Sequence, residues 1–376
     1  MQDKIKILFI IDQYYTSSGG TEGQLFNLIT NLNKNIFYPE LCVYRINSEY
    51  FNQNKFPCLV MNMNITSFRN PAVYPRFVRL RKYIRKGGFD IVQILFNDTA
   101  ISVPLIAAGL KTKVVAMRRD MGFWYTPANL AILRFFAHMT DKYLVNSYAV
   151  KKNVMEKEGI PENKIEVIYN AHAMNRFETQ PKPDFFTQYD IPVSSSIVGI
   201  VSNYRTIKRV HDLIGAFPAV LNKIKNAFLV IIGKPGVSKN EYQSLIDNLG
   251  IQGHVRMLGM VDNVIPYVKW FDIGINSSES EGLSNVIIEY MGCGVPVVAT
   301  DISSNRELIE NGDTGLFYPV GDIDALSAAI IRVLEDKQLA NRLSTNSREW
   351  IRLQFDESVI VRQYEEFYIK LAHSSS

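Results

Sequence analysis

The amino-acid sequence predicts an α/β protein of two doubly wound domains. Each is a parallel sheet covered by helices on both faces, and the two face each other across a cleft at the carboxyl ends of their strands. Three observations predict this. Continuous apolar runs of strand length alternate with amphipathic segments of helix length. The alternation restarts near residue 195, after a stretch rich in Pro, Ser and charge. The chain of 376 residues exceeds one ordinary domain.

The first strand is "KIKILFII", residues 4–11. Its apolar run is short, meets Asp12 at once and lacks a small-residue cleavage site, so it reads as a buried strand and not as an export signal. "FDIVQIL", "KVVAM", "KYLVNS" and "IEVIYN" continue the first half. "SIVGIVS", "AFLVII", "HVRML", "FDIGINS" and "VPVVATD" are the strands of the second. Between them lie helix-period segments such as "TEGQLFNLITNLNK", "KRVHDLIGAFPAVLNKI" and "NEYQSLIDNLG". The stretch "ETQPKPDFFTQYDIPVSSS", residues 178–196, reads as the linker, giving domains at 1–180 and 190–355.

Composition is that of a globular protein, 47% hydrophobic and 21% charged. No apolar run approaches the roughly 18 residues of a membrane-spanning helix. Cys42, Cys58 and Cys293 have no metal-ligand spacing, and three thiols without an export signal suggest a reducing, cytoplasmic setting. Residues 1–185 carry 24 Lys and Arg against 15 Asp and Glu, the remainder 17 against 22. The basic first half is expected to meet something anionic.

The most informative stretch is "SESEGLSNVIIEYMGCGVPVVATD", residues 278–301. A strand ends at Ser277-Ser278, Gly282 permits a tight turn, and Ser284 or Asn285 can cap a short helix. The amino end of such a helix attracts anions. Glu281 and Glu289 beside an anion site need another purpose, such as accepting hydrogen bonds from hydroxyls. A nucleotide sugar has both phosphate and hydroxyls.

This stretch resembles the nucleotide-sugar motif of glycosyltransferase family 4, of the GT-B fold. The resemblance is Glu281, seven residues, Glu289, then "YMGCGVPVVATDISSNRELIENGDTGLFYPVGDIDAL". "SSGGTEGQLFNL", "KIEVIYNAHAMNRF" and "VSNYRTIKRVHDLIGAF" resemble other marks of the family. The resemblance implies two Rossmann-like domains, with a last helix at about 356–372 packing back on the first. It implies a retaining hexosyltransferase, moving a sugar from a UDP- or GDP-linked donor to an acceptor hydroxyl in bacterial cell-surface polysaccharide, lipopolysaccharide or glycolipid synthesis. Glu289 is then expected on ribose hydroxyls and Glu281 on donor-sugar hydroxyls near the reacting carbon. The amides of Gly282, Leu283, Ser284 and Asn285 are expected on the diphosphate.

Arg205 and Lys208 sit where a loop becomes a helix, and two cations there can neutralise a diphosphate leaving group. Many relatives carry the Arg two residues earlier, where this chain has Asn203. Arg209 reads as a neighbouring surface charge. Gly19 and Gly20 allow close backbone approach and, by resemblance, close over the donor phosphates or face the acceptor. They are not a dinucleotide fingerprint. In "KVVAMRRD" Arg119 stands where relatives often have His, followed by Asp120. Arg cannot be a general base but can bind an oxyanion or an anionic acceptor. Asp120 either orients the acceptor or sugar, or caps a turn. Phe123, Trp124 and Tyr125 either face ligand or pack. His211 and His254 read as packing or surface residues.

Asp322-Ile323-Asp324 is an Asp-x-Asp triplet at a helix start and reads as a cap, so neither metal nor cofactor is expected. Arg76, Arg79, Arg81, Lys82, Arg85 and Lys86 crowd a helix whose other face carries Phe77, Leu80 and Ile84. That is a solvated helix, or a contact with an anionic membrane surface suited to a lipid-linked acceptor and a peripheral place on the inner face of the membrane. No nucleic-acid module is recognisable. The alternatives are a nucleotide-sugar epimerase of the same architecture, or an inactive sugar-binding scaffold.

Overall fold

The computed structural model describes residues 4–374 except 16–19, 48, 50, 52–54, 69 and 237–238. The chain divides into two compact units: Met1–Ala171 with Glu357–Ser376, and His172–Asp356. The first unit holds β1 (Ile5–Tyr14), β2 (Phe37–Ile46), β3 (Leu59–Asn62), β4 (Ile91–Leu95), β5 (Lys113–Arg118), β6 (Lys142–Val145) and β7 (Ile165–Val167). They form one sheet in the order β3-β2-β1-β4-β5-β6-β7, every neighbouring pair parallel. The second holds β8 (Ser196–Val201), β9 (Ala227–Ile232), β10 (Val255–Gly259), β11 (Ile273–Asn276), β12 (Val297–Thr300) and β13 (Leu316–Tyr318). Their order is β10-β9-β8-β11-β12-β13, again all parallel.

Helices on both faces bury the central strands completely. All six residues of β9 and all five of β4 are buried, which is why these strands read as unbroken apolar runs. In each sheet the order reverses once, at β1 and β4 and at β8 and β11. Crevices form at the carboxyl ends of strands at such points. The approach is close there: a Cβ on Gly233, just past β9, would lie 1.9 Å from the Ser202 carbonyl oxygen. In β11, a Cβ on Gly274 would lie 2.5 Å from the Tyr290 ring.

β2, β3 and β13 are strands the apolar pattern did not single out. β2 carries Pro39, Glu40 and Arg45, and its charges find partners only in the folded chain. The Tyr83 hydroxyl donates to Glu40, and Arg45 Nη1 meets Asp98 Oδ2 at 2.6 Å. The stretch 178–196, read as a linker, lies within the second unit. Its Phe185 is fully buried, edge-on to Phe186 and stacked near Trp270. Pro and charge in this segment mask an aromatic pair that packs.

Helix Glu357–Ala372 completes the first unit. Its Ile360, Tyr364, Tyr368 and Leu371 share a core with Phe9, Leu28 and Phe37. The Tyr368 hydroxyl donates to Gln93 Oε1 at 2.7 Å. At the end of β1, Asp12 is buried and accepts from the amides of Asp98 and Thr99 at 2.7 and 2.8 Å, capping helix Asn97–Ala107 from a distant strand.

Burial is the main cause that raises the Asp12 carboxyl from its ordinary 3.8 to about 6. The fold therefore holds this proton more tightly than the unfolded chain. The stability so gained is fully present below about pH 4 and is lost as pH rises through about 6, roughly 3 kcal/mol in all. Asp12→Asn keeps an acceptor oxygen and should flatten that part of the stability–pH curve in urea titrations from pH 4 to 7. An unchanged curve would show that Asp12 does not titrate in this range.

Candidate active site

At the carboxyl edge of the second sheet, the loop after β8 and the loop after β11 are tied together. The Glu279 amide donates to the Ile207 carbonyl at 3.0 Å, and Ser277 Oγ to the Lys208 carbonyl at 2.7 Å. Lys208 Nζ reaches Glu281 Oε1 at 2.5 Å, and Ser278 Oγ donates to the same oxygen at 2.7 Å. Lys208 and Glu281, 73 positions apart, thus form one charged pair. The Lys208 ammonium has three protons, so Glu281 leaves it donors for an oxyanion.

Arg205 lies three residues earlier, exposed, at the start of the short turn Thr206–Lys208. Among the described residues its guanidinium makes no ion pair. Arg209 is not a loose surface charge. It grips the buried Asp212 at 2.7 Å and reaches Glu279 at 3.4 Å, tying the two loops to helix Val210–Lys223.

Ser284 is the cap of helix Asn285–Gly292: its Oγ accepts from the Ile287 amide, and Asn276 Nδ2 donates to it at 3.0 Å. Gly282, Leu283 and Ser284 are buried, so the turn is packed into the unit. Glu289, on this helix, pairs with Arg176 at 2.9 Å. Burial raises its carboxyl and Arg176 opposes that. Arg176 is a site neighbour that sequence reasoning missed. It lies 113 positions from Glu289, and no spacing links the two.

In the first unit the segments that follow β1 and β5 carry the other expected residues. Gly19 lies outside the described residues. Gly20, in the left-handed region at φ +55°, opens helix Gly20–Asn31. Arg119 is half-buried, its Nη2 donating to Asn170 Oδ1 and its Nη1 3.7 Å from Met117 Sδ. Asp120 accepts from the Gly122 amide at 2.6 Å, a turn cap. Burial raises its carboxyl, while that amide and Arg118 lower it.

Phe123 is exposed, whereas Trp124 and Tyr125 pack on each other, 4.8 Å between ring centroids. No motif or spacing pointed to the buried pair Arg118–Glu158, bidentate at 2.7 and 2.8 Å, with the Tyr125 hydroxyl also on Glu158.

The basic helix Tyr74–Gly87 does not present all its cations. Arg81 donates to the Ile106 and Ala108 carbonyls at 2.6 and 2.8 Å, closing the end of a neighbouring helix. Arg76 reaches the Met63 carbonyl. Arg79, Lys82, Arg85 and Lys86 are exposed, with Tyr74 and Val78 beside them. Among the described residues no group of three or more His, Cys, Asp or Glu side chains could hold a metal ion. The Asp322 carboxylate caps a helix at the Ala325 amide. No helix among them is long and apolar enough to cross a membrane.

Two Rossmann-like units of parallel strands make this a GT-B fold, and solved structures agree. HepE of Anabaena, crystallised with UDP, superposes with a TM-score of 0.84 at 20% identity, covering 97% of this chain and 100% of that one. Residues 18–176 match Glycosyltransferase Family 4 and residues 181–350 match Glycosyl transferases group 1. The chain belongs to this family, the group 1 glycosyl transferases of family 4. It is 30% identical over 237 residues to N-acetyl-alpha-D-glucosaminyl L-malate synthase of Bacillus anthracis, across 63% of this chain and 61% of that protein. It is 29% identical over 225 residues to the lipopolysaccharide core biosynthesis glycosyltransferase LpsE of Rhizobium meliloti, across 60% and 63%. The chain thus spans about three fifths of the length of these curated relatives.

Glu158→Leu would leave Arg118 buried without its counter-charge and should destabilise the first unit by about 3–5 kcal/mol. Denaturant unfolding monitored by the fluorescence of Trp124, with Trp270 and Trp350 replaced by Phe in both chains compared, measures this. A change under about 1 kcal/mol would mean that the pair is solvated in solution.

Proposed function

We propose that the chain is a retaining hexosyltransferase. It moves a sugar from a nucleotide diphosphate donor, UDP- or GDP-linked, to an acceptor hydroxyl in surface polysaccharide or glycolipid synthesis. The observation that carries this reading is the Lys208–Glu281–Ser278 cluster at the carboxyl edge of β8 and β11. It pairs a cation suited to phosphate with a carboxylate suited to hydroxyls. The UDP in the HepE crystal and the lipopolysaccharide role in the name of LpsE support the same class of donor and product.

Each residue then has a task. Arg205 and Lys208 stabilise the departing diphosphate as its bond to the sugar carbon breaks and takes the electron pair with it. The acceptor oxygen bonds to that carbon on the same face, and its proton passes to the leaving phosphate oxygen. Glu281 accepts from donor-sugar hydroxyls and offsets positive charge growing on the ring. Glu289 accepts from the ribose hydroxyls, in balance with Arg176. The turn Gly282–Asn285 sits against the diphosphate at the positive end of its helix. Gly19 and Gly20 close over the donor phosphates or face the acceptor, and Asp120 orients the acceptor hydroxyl or binds the donor sugar. No divalent ion and no cofactor is assigned, because the two cations and the helix end carry the charge. The exposed Arg79, Lys82, Arg85 and Lys86 suit peripheral contact with an anionic membrane surface on the cytoplasmic side, where a lipid-linked acceptor would lie. Nucleic acid is not a partner in this reading.

Thermal melting with UDP, GDP and their sugars tests it. One nucleotide at about a hundred times its Kd should stabilise the wild type by about 2.7 kcal/mol. The gain should shrink in Glu289→Ala and in Lys208→Ala. No shift with any nucleotide would overturn the donor assignment. Sugar transfer in excess chelator should proceed at the untreated rate, and its loss would show that a metal is required.

A further inference from the structure

Adjacent arginines at the end of β5 have opposite surroundings. Arg118 is fully matched by Glu158. Among the described residues Arg119 forms no ion pair. Its neighbours are the Asn170 amide oxygen, the Met117 sulfur and the Tyr364 phenol, all neutral. Burial alone works against its charge, with only Tyr364 opposing that. A guanidinium held partly out of water without a counter-charge is costly, and an incoming anion would remove that cost.

Arg119 stands between two small cavities whose walls share it with Leu95 and Met117. The inner one reaches Gln93, which is wholly buried. The Gln93 Oε1 accepts from Tyr368, but its Nε2 has no partner. That is an unmet donor in the same cavity wall as the unmatched cation. The outer cavity is lined by Thr21, Asn97, Asp120 and Trp124, residues that follow the carboxyl ends of β1, β4 and β5. Thr21 is in the first turn of helix Gly20–Asn31, so the positive end of that helix dipole adds to Arg119. Asp120, a carboxylate in this wall, has an oxygen already held by the Gly122 amide.

We propose that Arg119, with Gln93 behind it, is an anion subsite of the first unit, and that the acceptor carries a carboxylate or a phosphate ester in addition to its reacting hydroxyl. The proposal rests on the glycosyltransferase reading, which assigns the donor diphosphate to Lys208 and Arg205 in the second unit and so leaves this charge for the acceptor. The planar guanidinium matches either anion with two parallel hydrogen bonds.

Calorimetric titration of the full chain with succinate and with inorganic phosphate tests it, with UDP present to fill the diphosphate site. At least one anion should bind the wild type. Arg119→Gln should weaken that binding tenfold or more while keeping its UDP affinity, which shows that it is folded. Arg119→Lys should fall between. Succinate as the better ligand assigns a carboxylate acceptor, and phosphate assigns a phosphate ester. Equal anion binding by wild type and Arg119→Gln, or none by the wild type, would overturn the subsite. If UDP itself fails to bind, the donor reading fails separately. The same wild-type and Arg119→Gln comparison, made without nucleotide, still decides the anion site.

Discussion

The constraint on which the rest depends is the direction of the strands. In an all-parallel sheet every strand ends on the same edge, so loops far apart in sequence emerge side by side. In the second unit β8 and β11 are neighbours across the point where strand order reverses. Their loops are then stitched by a backbone bond, Glu279 to Ile207, and by Ser277 on the Lys208 carbonyl. Only after that stitching can a lysine at 208 and a glutamate at 281 touch. The pair is a consequence of topology.

Among the described residues, the buried carboxylates that shape the two sites follow a common rule. Carboxylates drawn out of water have a cation or amides to hold them: Glu281 has Lys208, Glu289 has Arg176, Glu158 has Arg118, and Asp12 has two helix amides. Such pairing keeps the desolvation cost of a buried charge from falling on the fold. Arg209 and Asp212 use the same means to brace the loop bearing Lys208. Arg119 is a half-buried cation with no ion pair among the described residues, and it lies at the carboxyl edge of the first sheet.

Packing supplies the stiffness these sites need. Gly274 lets the Tyr290 ring lie against β11, and the Tyr290 hydroxyl accepts from the Val201 amide at the end of β8. The helix carrying Glu289 is thereby fixed to the strands whose loops carry Lys208 and Glu281. In the first unit the last helix closes the core over β1 and β4, and its Tyr364 is also a neighbour of Arg119. Core and candidate site share side chains, so neither can move independently.

The sequence by itself determined the fold class and the local parts of the site. Strands buried on both faces must be continuously apolar, and ten of the strands, most of them of this kind, were legible as apolar runs. Glu281, the turn after it and the helix bearing Glu289 are contiguous, so their arrangement is written in one short segment. The Asp322 cap was legible for the same reason. Only the tertiary structure decided the rest. β2 was hidden because Glu40 and Arg45 are tolerable in a strand only when Tyr83 and Asp98 reach them. Phe185 looked like linker until Trp270 covered it. Arg81 looked like a surface cation until it met two helix-end carbonyls. Arg176 joined Glu289, and Arg118 separated from Arg119, through contacts between distant residues. A pattern along the chain reports what each residue requires of its environment. Which distant residue meets that requirement is fixed only when the strands have taken their order.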